Sequence, residues 1–296
     1  MTAVIDIQGL TKQYPRKPRL ALDGLTLRVY QGEIFGYLGP NGAGKTTTIR
    51  CMLDFVRPTA GNVRILGMDV RTQSVDVRRE VGFLPSELAL WEHMTGYDTL
   101  RYMAELRPGC DLRYAYTLAE RLHLNLDQRA REYSTGNKRK LGIIQAMMHR
   151  PPLMILDEPT TGLDPLVRHT FNDLLREARE RGQTVFLSSH VLSEVEAVCD
   201  RVGVLKDGTL RRVERVDVLK SGLTRTVTFY SDTPLNPADW TTLAGVQHAE
   251  GGRGYVRVFV TGSVDAIIKH AAQFPIDDMR VDAAGLEQVF MEFYNG

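Results

Sequence analysis

The sequence is poor in cysteine, and this limits the kinds of site that it can form. Its 296 residues include three cysteines, Cys51, Cys110 and Cys199, which are scattered along the chain. An odd number without paired spacing argues against a disulfide framework and against a zinc site. We therefore expect a protein of a reducing compartment.

The sequence also lacks an excess of charge and a membrane-spanning run. Thirty-seven basic residues face thirty-six acidic ones, for a formal charge of +1. No global positive charge therefore favours nucleic acid or anionic lipid as a partner. No stretch approaches the roughly eighteen apolar residues of a membrane helix, and the N-terminal residues do not have the pattern of a secretion signal. If the protein works at a membrane, we expect another chain to supply the membrane part.

Strands and helices alternate along much of the chain. Strand-like segments come first, a helical insert is predicted at about 88–149, and the strand "LMILDEP" follows it. A helix is then expected from about Pro165 to Arg181, followed by the strand "TVFLSSH", the helix "VLSEVEAVCD" and the strand "RVGVLKDG". This alternation predicts an α/β fold with a mostly parallel sheet covered by helices.

The end of the chain differs from the rest in charge. Residues 223–296 contain five Lys or Arg and nine Asp or Glu residues. The charged segment 211–222 is a candidate boundary, and we predict domains at 1–215 and 216–296. The second is expected to be a small α+β domain built from "TVTFY", "YVRVFVTG", the helix "VDAIIKHAAQF", "MRVD" and a closing helix "LEQVFMEFY".

A glycine-rich segment follows the predicted strand "IFGYL". It matches the pattern G-x-x-x-x-G-K-[ST] of a phosphate-binding loop, and its residues are Gly39, Pro40, Asn41, Gly42, Ala43, Gly44, Lys45 and Thr46. Backbone N–H groups of such a loop point at phosphates, and the helix that follows adds its positive end. We expect Lys45 to reach the β- and γ-phosphates and Thr46 to hold Mg²⁺.

Two acids end the strand "LMILDEP", and a histidine ends the next predicted strand. The carboxyl ends of strands in an α/β sheet face the ligand. Asp157 is therefore a candidate Mg²⁺ ligand, and Glu158 a candidate to orient or deprotonate the attacking water. His190 would lie on the same rim and could touch the γ-phosphate, although a lone histidine is more often structural.

Together these motifs resemble the ABC ATPases, the nucleotide-binding subunits of ABC transporters, over about residues 3–215. In the order of that family, the further matching segments are Tyr14 as adenine-stacking aromatic, Thr47 after the phosphate-binding loop, "YSTGNKRK" as signature, and "TGLD", with Asp164, as D-loop. The resemblance implies a P-loop fold with a β-subdomain and a helical subdomain. It makes His190 the switch histidine.

The resemblance also implies that two ATPase protomers meet head to tail around ATP. Ser134 and the N–H of Gly136 would contact the γ-phosphate bound by the other protomer, at the N-terminus of a helix that begins after Asn137. The cations from Lys138 to Lys140 would flank that phosphate site, and the alternative is a nucleic-acid patch.

Three segments, "GEIFGYLGPNGAGKTTTIR", "SSHVLSEVEAVCDRVGVLKDG" and the terminal "GLEQVFMEFY", resemble the ATPases of drug, antibiotic and lipid exporters, including the daunorubicin-resistance type. Three positions depart from the family pattern: Thr135 replaces a glycine, Asn137 a glutamine, and Ser86 the glutamine that contacts Mg²⁺ or water. We expect Glu87 to take over that last contact. The apolar side chains nearby are expected either to meet a partner helix or to pack inside the helical subdomain; they are Leu88, Leu90 and Trp91.

The resemblance implies an ATP- and Mg²⁺-dependent ATPase that powers export through a separate transmembrane permease. It would lie peripherally at the cytoplasmic face of the membrane and bind no nucleic acid. One alternative is a soluble ABC ATPase that acts on nucleic acid or ribosomes. Another is a regulatory protein that binds ATP without turnover, which the presence of Lys45, Asp157, Glu158 and His190 disfavours.

Overall fold

The computed structural model describes residues 2–15, 18–107, 110–221 and 224–282. Two compact units divide the chain, Met1–Val213 and Glu214–Gly296.

The described residues up to Arg215 form ten strands and seven α-helices. The strands are β1 (Ala3–Lys12), β2 (Leu22–Tyr30), β3 (Ile34–Leu38), β4 (Ala60–Ile65), β5 (Met68–Asp69), β6 (Val81–Leu84), β7 (Leu153–Asp157), β8 (Thr184–Ser189), β9 (Arg201–Lys206) and β10 (Thr209–Arg215). The helices are α1 (Lys45–Met52), α2 (Ser74–Glu80), α3 (Gly96–Glu105), α4 (Leu112–Arg121), α5 (Thr135–Met147), α6 (Pro165–Glu180) and α7 (Leu192–Val198).

The predicted parallel sheet is present, and a second sheet accompanies it. Six strands follow the order β10-β9-β3-β8-β7-β6. The pairs β9–β3, β3–β8, β8–β7 and β7–β6 are parallel. Strands β3, β7 and β8 are buried along their whole length, which explains the apolar runs in their sequences. The earliest strands lie in a separate antiparallel sheet, β2-β1-β4-β5.

The main core joins these two sheets. Phe186 of β8 stacks on Phe35 of β3 at 5.8 Å between ring centroids and lies 5.2 Å from the ring of Tyr37. The Tyr37 hydroxyl lies 3.1 Å from the Thr48 hydroxyl of α1. The helix that follows the glycine-rich segment is therefore fixed to the parallel sheet.

The helical insert predicted at about 88–149 contains α3, α4 and α5. Thr95 caps the first of these helices. Its hydroxyl accepts from the backbone N–H of Asp98, whose carboxylate accepts from the N–H of Thr95 in return. This capping box fixes the start of α3.

The C-terminal unit is an antiparallel α+β structure. Its elements are α8 (Val216–Ser221), β11 (Thr224–Tyr230), β12 (Val246–Gly252), β13 (Tyr255–Thr261), α9 (Asp265–Ala271) and β14 (Asp278–Asp282), with strand order β12-β13-β11-β14. Its core centres on the fully buried Trp240, which stacks on Phe229 at 4.8 Å.

The predictions for this end of the chain are partly confirmed. The strands "TVTFY" and "MRVD" and the helix after Val264 are confirmed. Strand β12 was missed because "VQHAEGG" has few apolar residues. The closing helix "LEQVFMEFY" lies outside the described residues. Most of the candidate boundary at 211–222 is regular structure, since β10 and α8 occupy it.

Across the described residues, no helix combines the length and the apolar character needed to cross a membrane.

Candidate nucleotide site

The glycine-rich segment forms the turn between β3 and α1. Gly44, just before α1, has a φ of +111°, a value that residues with a side chain rarely adopt. A Cβ there would lie 2.6 Å from the Ala21 carbonyl oxygen. A Cβ at Gly39 would lie 2.5 Å from the Leu205 carbonyl oxygen. Both positions need glycine for sterical reasons, and they place the N-terminus of α1 at the rim of the parallel sheet.

A cavity of about 860 Å³ opens beside this turn. It is lined by Pro40, Asn41, Gly42, Gly44, Lys45, Thr46 and Thr47 of the turn, by Tyr14, Leu20 and Asp23 on one side, and by Ser86, Arg139, Glu158, Thr161 and His190 on the other. Gly39 and Ala43 are not among these lining residues. Gly39 contributes its carbonyl oxygen to Lys45, and Ala43 is buried.

Lys45 lies folded over the turn. Its Nζ donates to the carbonyl oxygens of Gly39 at 2.6 Å and Pro40 at 3.3 Å. The same Nζ lies 3.2 Å from Oε1 of Glu158. The Lys45 ammonium group is therefore held at the cavity wall, close to Glu158, the residue that follows β7.

Asp157 lies beneath the cavity at the end of β7 and is almost fully buried. Its Oδ2 accepts from the Thr46 hydroxyl at 2.9 Å, and its Oδ1 from the Ser188 hydroxyl at 2.5 Å. The structure thus brings together the two residues that the sequence suggested as Mg²⁺ ligands.

Glu158 follows Asp157 and has an unusual backbone. Its φ is +51°, in the left-handed region that a non-glycine residue rarely adopts. Its N–H donates to the Ser188 hydroxyl at 3.0 Å, and its Oε2 lies 2.7 Å from Nδ1 of His190. Because backbone strain of this kind concentrates at functional sites, the conformation itself marks Glu158.

Tyr14 is half-buried and lines the same cavity as the glycine-rich turn. The Lys12 ammonium lies 5.1 Å from its ring centroid. Its stacking on adenine stays a prediction.

The signature residues lie outside the cavity lining. Ser134 is exposed and caps α5, with its hydroxyl accepting from the N–H of Asn137 at 3.2 Å. Helix α5 begins at Thr135, so the predicted start after Asn137 was wrong, and Gly136 belongs to the first helical turn. A Cβ at Gly136 would lie 2.8 Å from the Gly162 carbonyl oxygen, so the signature packs on the "TGLD" loop of its own chain.

Asp164 also lies outside the lining. Its carboxylate caps α6 by accepting from the N–H of Val167 at 2.9 Å. That backbone hydrogen bond holds the pKa of the carboxyl below its usual range. In this chain alone, Asp164 is a helix cap.

Two cations of the signature segment are structural, contrary to the prediction that they flank the signature's phosphate site. Lys140 is buried and donates to the His123 carbonyl oxygen at 3.4 Å. Arg139 is 4% exposed and donates to the carbonyl oxygens of Pro85, Ser86 and Glu158. Neither can form an exposed nucleic-acid patch.

Sequence reasoning did not place Arg139 in the cavity of its own chain, although the helical spacing contained a signal. Residues four apart share a face of a helix, and Ile143 and Met147 of α5 are both buried. Extending that face back by four residues reaches Arg139. The buried face of α5 therefore includes Arg139, and a buried charge needs hydrogen-bond partners inside the protein.

The segment after β6 only partly matches its prediction. Ser86 lines the cavity, whereas Glu87 is exposed and is not among the lining residues. Nothing in this arrangement supports the hypothesis that Glu87 replaces the absent glutamine. Leu88 packs over Gly142 of α5, while Trp91 is 43% exposed with its ring centroid 5.1 Å from that of Tyr102.

Comparison with known proteins agrees with this geometry. A profile of the family described as ABC transporter matches residues 22–161. An uncharacterized ABC transporter ATP-binding protein, YhcH of Bacillus subtilis (strain 168), is 35% identical over 219 residues, which cover 73% of this chain and 71% of that protein. The bacitracin transport ATP-binding protein BcrA of Enterococcus faecalis is 38% identical over 221 residues, covering 74% of this chain and 70% of that protein.

Among solved structures, an ATP-binding subunit of an ABC transporter superimposes with a TM-score of 0.68 at 29% identity. The match covers 73% of this chain and 92% of that one. The glycine-rich turn, the acidic strand end and the histidine rim thus occur in a chain whose sequence and fold are both those of a nucleotide-binding cassette. The chain belongs to the ABC transporter family, as a cassette that binds and hydrolyses ATP.

Proposed function

We propose that the chain hydrolyses ATP to power export of a substrate through a separate membrane-spanning protein. The observation that carries the catalytic part is the convergence of Lys45, Thr46, Asp157, Glu158 and His190 at one rim of the parallel sheet. The relatives named above support the transport part, since one of them is a bacitracin transport protein.

In this proposal, each rim residue has a distinct role. The N–H groups of the glycine-rich turn and the Lys45 ammonium bind the β- and γ-phosphates, and Tyr14 stacks on the adenine. The Glu158 carboxylate takes a proton from the attacking water as the water oxygen bonds to the γ-phosphorus and ADP leaves. His190 holds the Glu158 side chain through the 2.7 Å contact and lies close enough to touch the γ-phosphate.

The rim also fits Mg²⁺. The Thr46 hydroxyl and the Asp157 carboxylate lie 2.9 Å apart and offer two hard oxygen ligands. No cluster of three or more His, Cys, Asp or Glu side chains suited to a metal occurs in the described part of the chain. That agrees with an ion that takes most of its ligands from phosphates and water. When bound, Mg²⁺ would neutralise charge on the phosphate oxygens.

A second copy of the cassette would complete the site. Ser134 and the first turn of α5 present a hydroxyl and a helix N-terminus at the surface, outside the cavity of their own chain. In a head-to-tail pair, the Ser134 hydroxyl and the Gly136 N–H would close over the γ-phosphate bound by the other copy. Asp164, which caps α6 beside the signature, would lie in the same interface.

A groove in the cassette suits the membrane partner. A cavity of about 250 Å³ is lined by apolar side chains from the end of α1, from β6 and from the helical insert, with Arg78, Arg107 and Gln145 at its polar positions; the apolar residues are Leu53, Phe55, Val81, Phe83, Met103 and Met148. Phe55 is 53% exposed. An apolar groove with charged positions fits one face of a short amphipathic helix.

In this proposal the chain lies peripherally at the cytoplasmic face of a membrane. Residues 1–215 form the nucleotide-binding domain, and residues 216–296 form an accessory α+β domain. Nucleic acid has no part in the proposed function.

The transport part is tested with the groove. Phe55→Ser should reduce co-purification of the membrane subunit from detergent-solubilised membranes, because it removes exposed apolar surface from the groove. Leu106→Ser is the matched control, since Leu106 is also exposed but does not line the groove. Basal ATP hydrolysis should stay normal in both variants.

Equal recovery of a membrane protein with wild type and Phe55→Ser would contradict the groove assignment. Absence of any membrane protein with the wild-type chain would contradict the transport role itself.

A further inference from the structure

Helix α5 meets two loops of the nucleotide site through one side chain. Arg139 Nη1 donates to the Pro85 carbonyl oxygen at 2.6 Å, and Nη2 donates to that of Ser86 at 3.0 Å. The same Nη2 donates to the Glu158 carbonyl oxygen at 2.9 Å. One guanidinium therefore joins the loop after β6 to the loop after β7.

The chemistry of this contact favours fixed geometry. All three acceptors are backbone carbonyl oxygens, and the guanidinium is a rigid planar fork. Burial lowers the pKa of Arg139, and the negative charges of Asp157 and Glu158 oppose that shift. An arginine so placed stays charged, and its fork sets the distance between the two loops.

Glu158 needs such an anchor. Its backbone has the positive φ that a non-glycine residue leaves unless its neighbours hold it. The N–H of Glu158 donates to the Ser188 hydroxyl, and its carbonyl oxygen accepts from the Arg139 guanidinium at 2.9 Å and from the N–H of Thr161 at 3.3 Å. The peptide groups on both sides of the Glu158 Cα are therefore fixed, and this sets the direction in which its side chain leaves the chain.

That direction decides what the Glu158 carboxylate can reach. Its two oxygens contact Lys45 and His190, 3.2 Å and 2.7 Å away. If the Arg139 contact were lost, this carbonyl oxygen would keep only the longer bond from Thr161, so that φ could return to a negative value and the side chain would swing away from this rim. An error of about 1 Å in the position of a catalytic group can lower the rate about 100-fold.

We infer that Arg139 is a positioning residue for ATP hydrolysis, which holds the Glu158 carboxylate toward the attacking water by fixing the Glu158 backbone. This inference rests on the proposed role of Glu158 as the base. Arg139 acts through Glu158, so its removal should change turnover far more than ATP binding.

The test is a double-mutant cycle on the full chain with ATP and Mg²⁺. Arg139→Met should lower kcat about 100-fold while KM changes less than about 3-fold, since the base is misplaced but the phosphate-binding turn is intact. In a Glu158→Gln background, adding Arg139→Met should change the residual kcat less than about 3-fold, because the group that Arg139 positions is already gone.

Two further variants separate positioning from general stability. Lys140→Met removes the adjacent buried cation of the same helix, which donates to His123 and not to the site, and it should leave kcat within about 3-fold of wild type. Arg139→Lys keeps the charge without the fork, and it should recover part of the lost kcat. If Arg139→Met does not fold, the same cycle is run with Arg139→Lys.

Each contrary result has a distinct meaning. Additive losses in the double mutant, a rise in KM without a fall in kcat, or an equal loss of kcat in Lys140→Met would overturn the positioning role. A Glu158→Gln variant with normal kcat would instead overturn the proposed base.

Discussion

The two halves of the proposed nucleotide site differ in how complete they are within one chain. The side chains of the phosphate-binding half are held by internal hydrogen bonds. The hydroxyls of Thr46 and Ser188 both donate to the carboxylate of Asp157 beneath the cavity. The signature half exposes Ser134 and lies outside the cavity lining. One half is therefore preorganised by its own fold, while the other presents polar groups outward.

This difference suggests that the phosphate-binding half binds its own ATP, whereas the signature half needs a phosphate bound by another copy. A preorganised half can bind ATP with its own groups, and this requires no second chain. An exposed helix N-terminus with a capping serine would act only when a phosphate is brought to it. Arg139 joins the halves, since it lies on the signature helix and holds the carbonyl oxygen of Glu158.

The largest expected effect breaks the phosphate-binding half. Glu158→Gln should lower kcat by about 10²–10⁴-fold, the usual contribution of a general base. ATP affinity should rise, because glutamine cannot form the ion pair with which Glu158 now competes for Lys45. ATPase assays and nucleotide titration measure both effects, and size-exclusion chromatography with ATP and Mg²⁺ should show a trapped dimer.

Glu180→Gln, at the exposed end of α6, is the matched control and should behave as wild type. A Glu158→Gln variant that stays monomeric and hydrolyses ATP normally would rule out both the base and the shared site.

A mixing experiment tests whether the signature half serves the other protomer. Lys45→Ala damages one half of a site and Ser134→Arg the other, so each variant alone should be inactive. In an equal mixture, half of the dimers pair the two variants, and each such dimer has one undamaged site. Hydrolysis should recover to about a quarter of the wild-type rate if the sites act independently. No recovery, with mixed dimers shown to form, would argue that each chain completes its own site.

Acidic pH should lower the stability of the fold through His149, which follows the signature helix α5. Both ring nitrogens of His149, just after α5, are buried. Burial and the nearby Arg107 lower its pKa from 6.5 to about 4, and the Val81 backbone opposes this only weakly because no hydrogen bond of good geometry forms. The unfolded chain therefore takes up a proton near pH 6.5 and the folded chain only near pH 4. The free energy of unfolding should fall as the pH drops through this window.

Urea unfolding at pH 7 and pH 5 measures this effect. His149→Gln should have a flatter pH dependence than wild type, whereas the exposed His93→Gln should keep the wild-type slope. Identical slopes for wild type and His149→Gln would exclude His149 as the source.

The smallest expected effect concerns the C-terminal unit. All residues that line the nucleotide cavity, up to Asp207 and Gly208, belong to the first unit, Met1–Val213. A chain that ends at Ser221 keeps β10, which belongs to the six-stranded sheet, and should bind ATP within about 3-fold of the full chain. Loss of ATP binding in a truncated chain that still shows a cooperative thermal transition would mean that the two units are not independent.

Local patterns explain why so much of the phosphate-binding half was predictable. The glycine-rich turn has all its parts within eight consecutive residues, and the acids and His190 end buried strands, so strand order alone brings them to one rim. The start of α3 was predictable for the same reason, since Thr95 and Asp98 are three residues apart.

The parts that the sequence did not predict depend on contacts between distant segments. Arg139 is 54 residues from Pro85, its first acceptor. The positive φ of Glu158 and the contact of Gly136 with Gly162 likewise arise only when loops from different elements meet. Helix α5 starts earlier than predicted because Ser134 is itself the cap, so that Gly136 is a helical residue and not part of a preceding turn.

The placement of the tryptophans gives the molecule built-in optical reporters. The chain has two tryptophans, Trp91 in the cassette and Trp240 in the C-terminal unit. The first is 43% exposed and the second is fully buried, so their fluorescence should differ in wavelength and in access to quenchers. Trp91→Phe and Trp240→Phe each leave one emitter, so the unfolding of each unit can be followed separately without a chemical label.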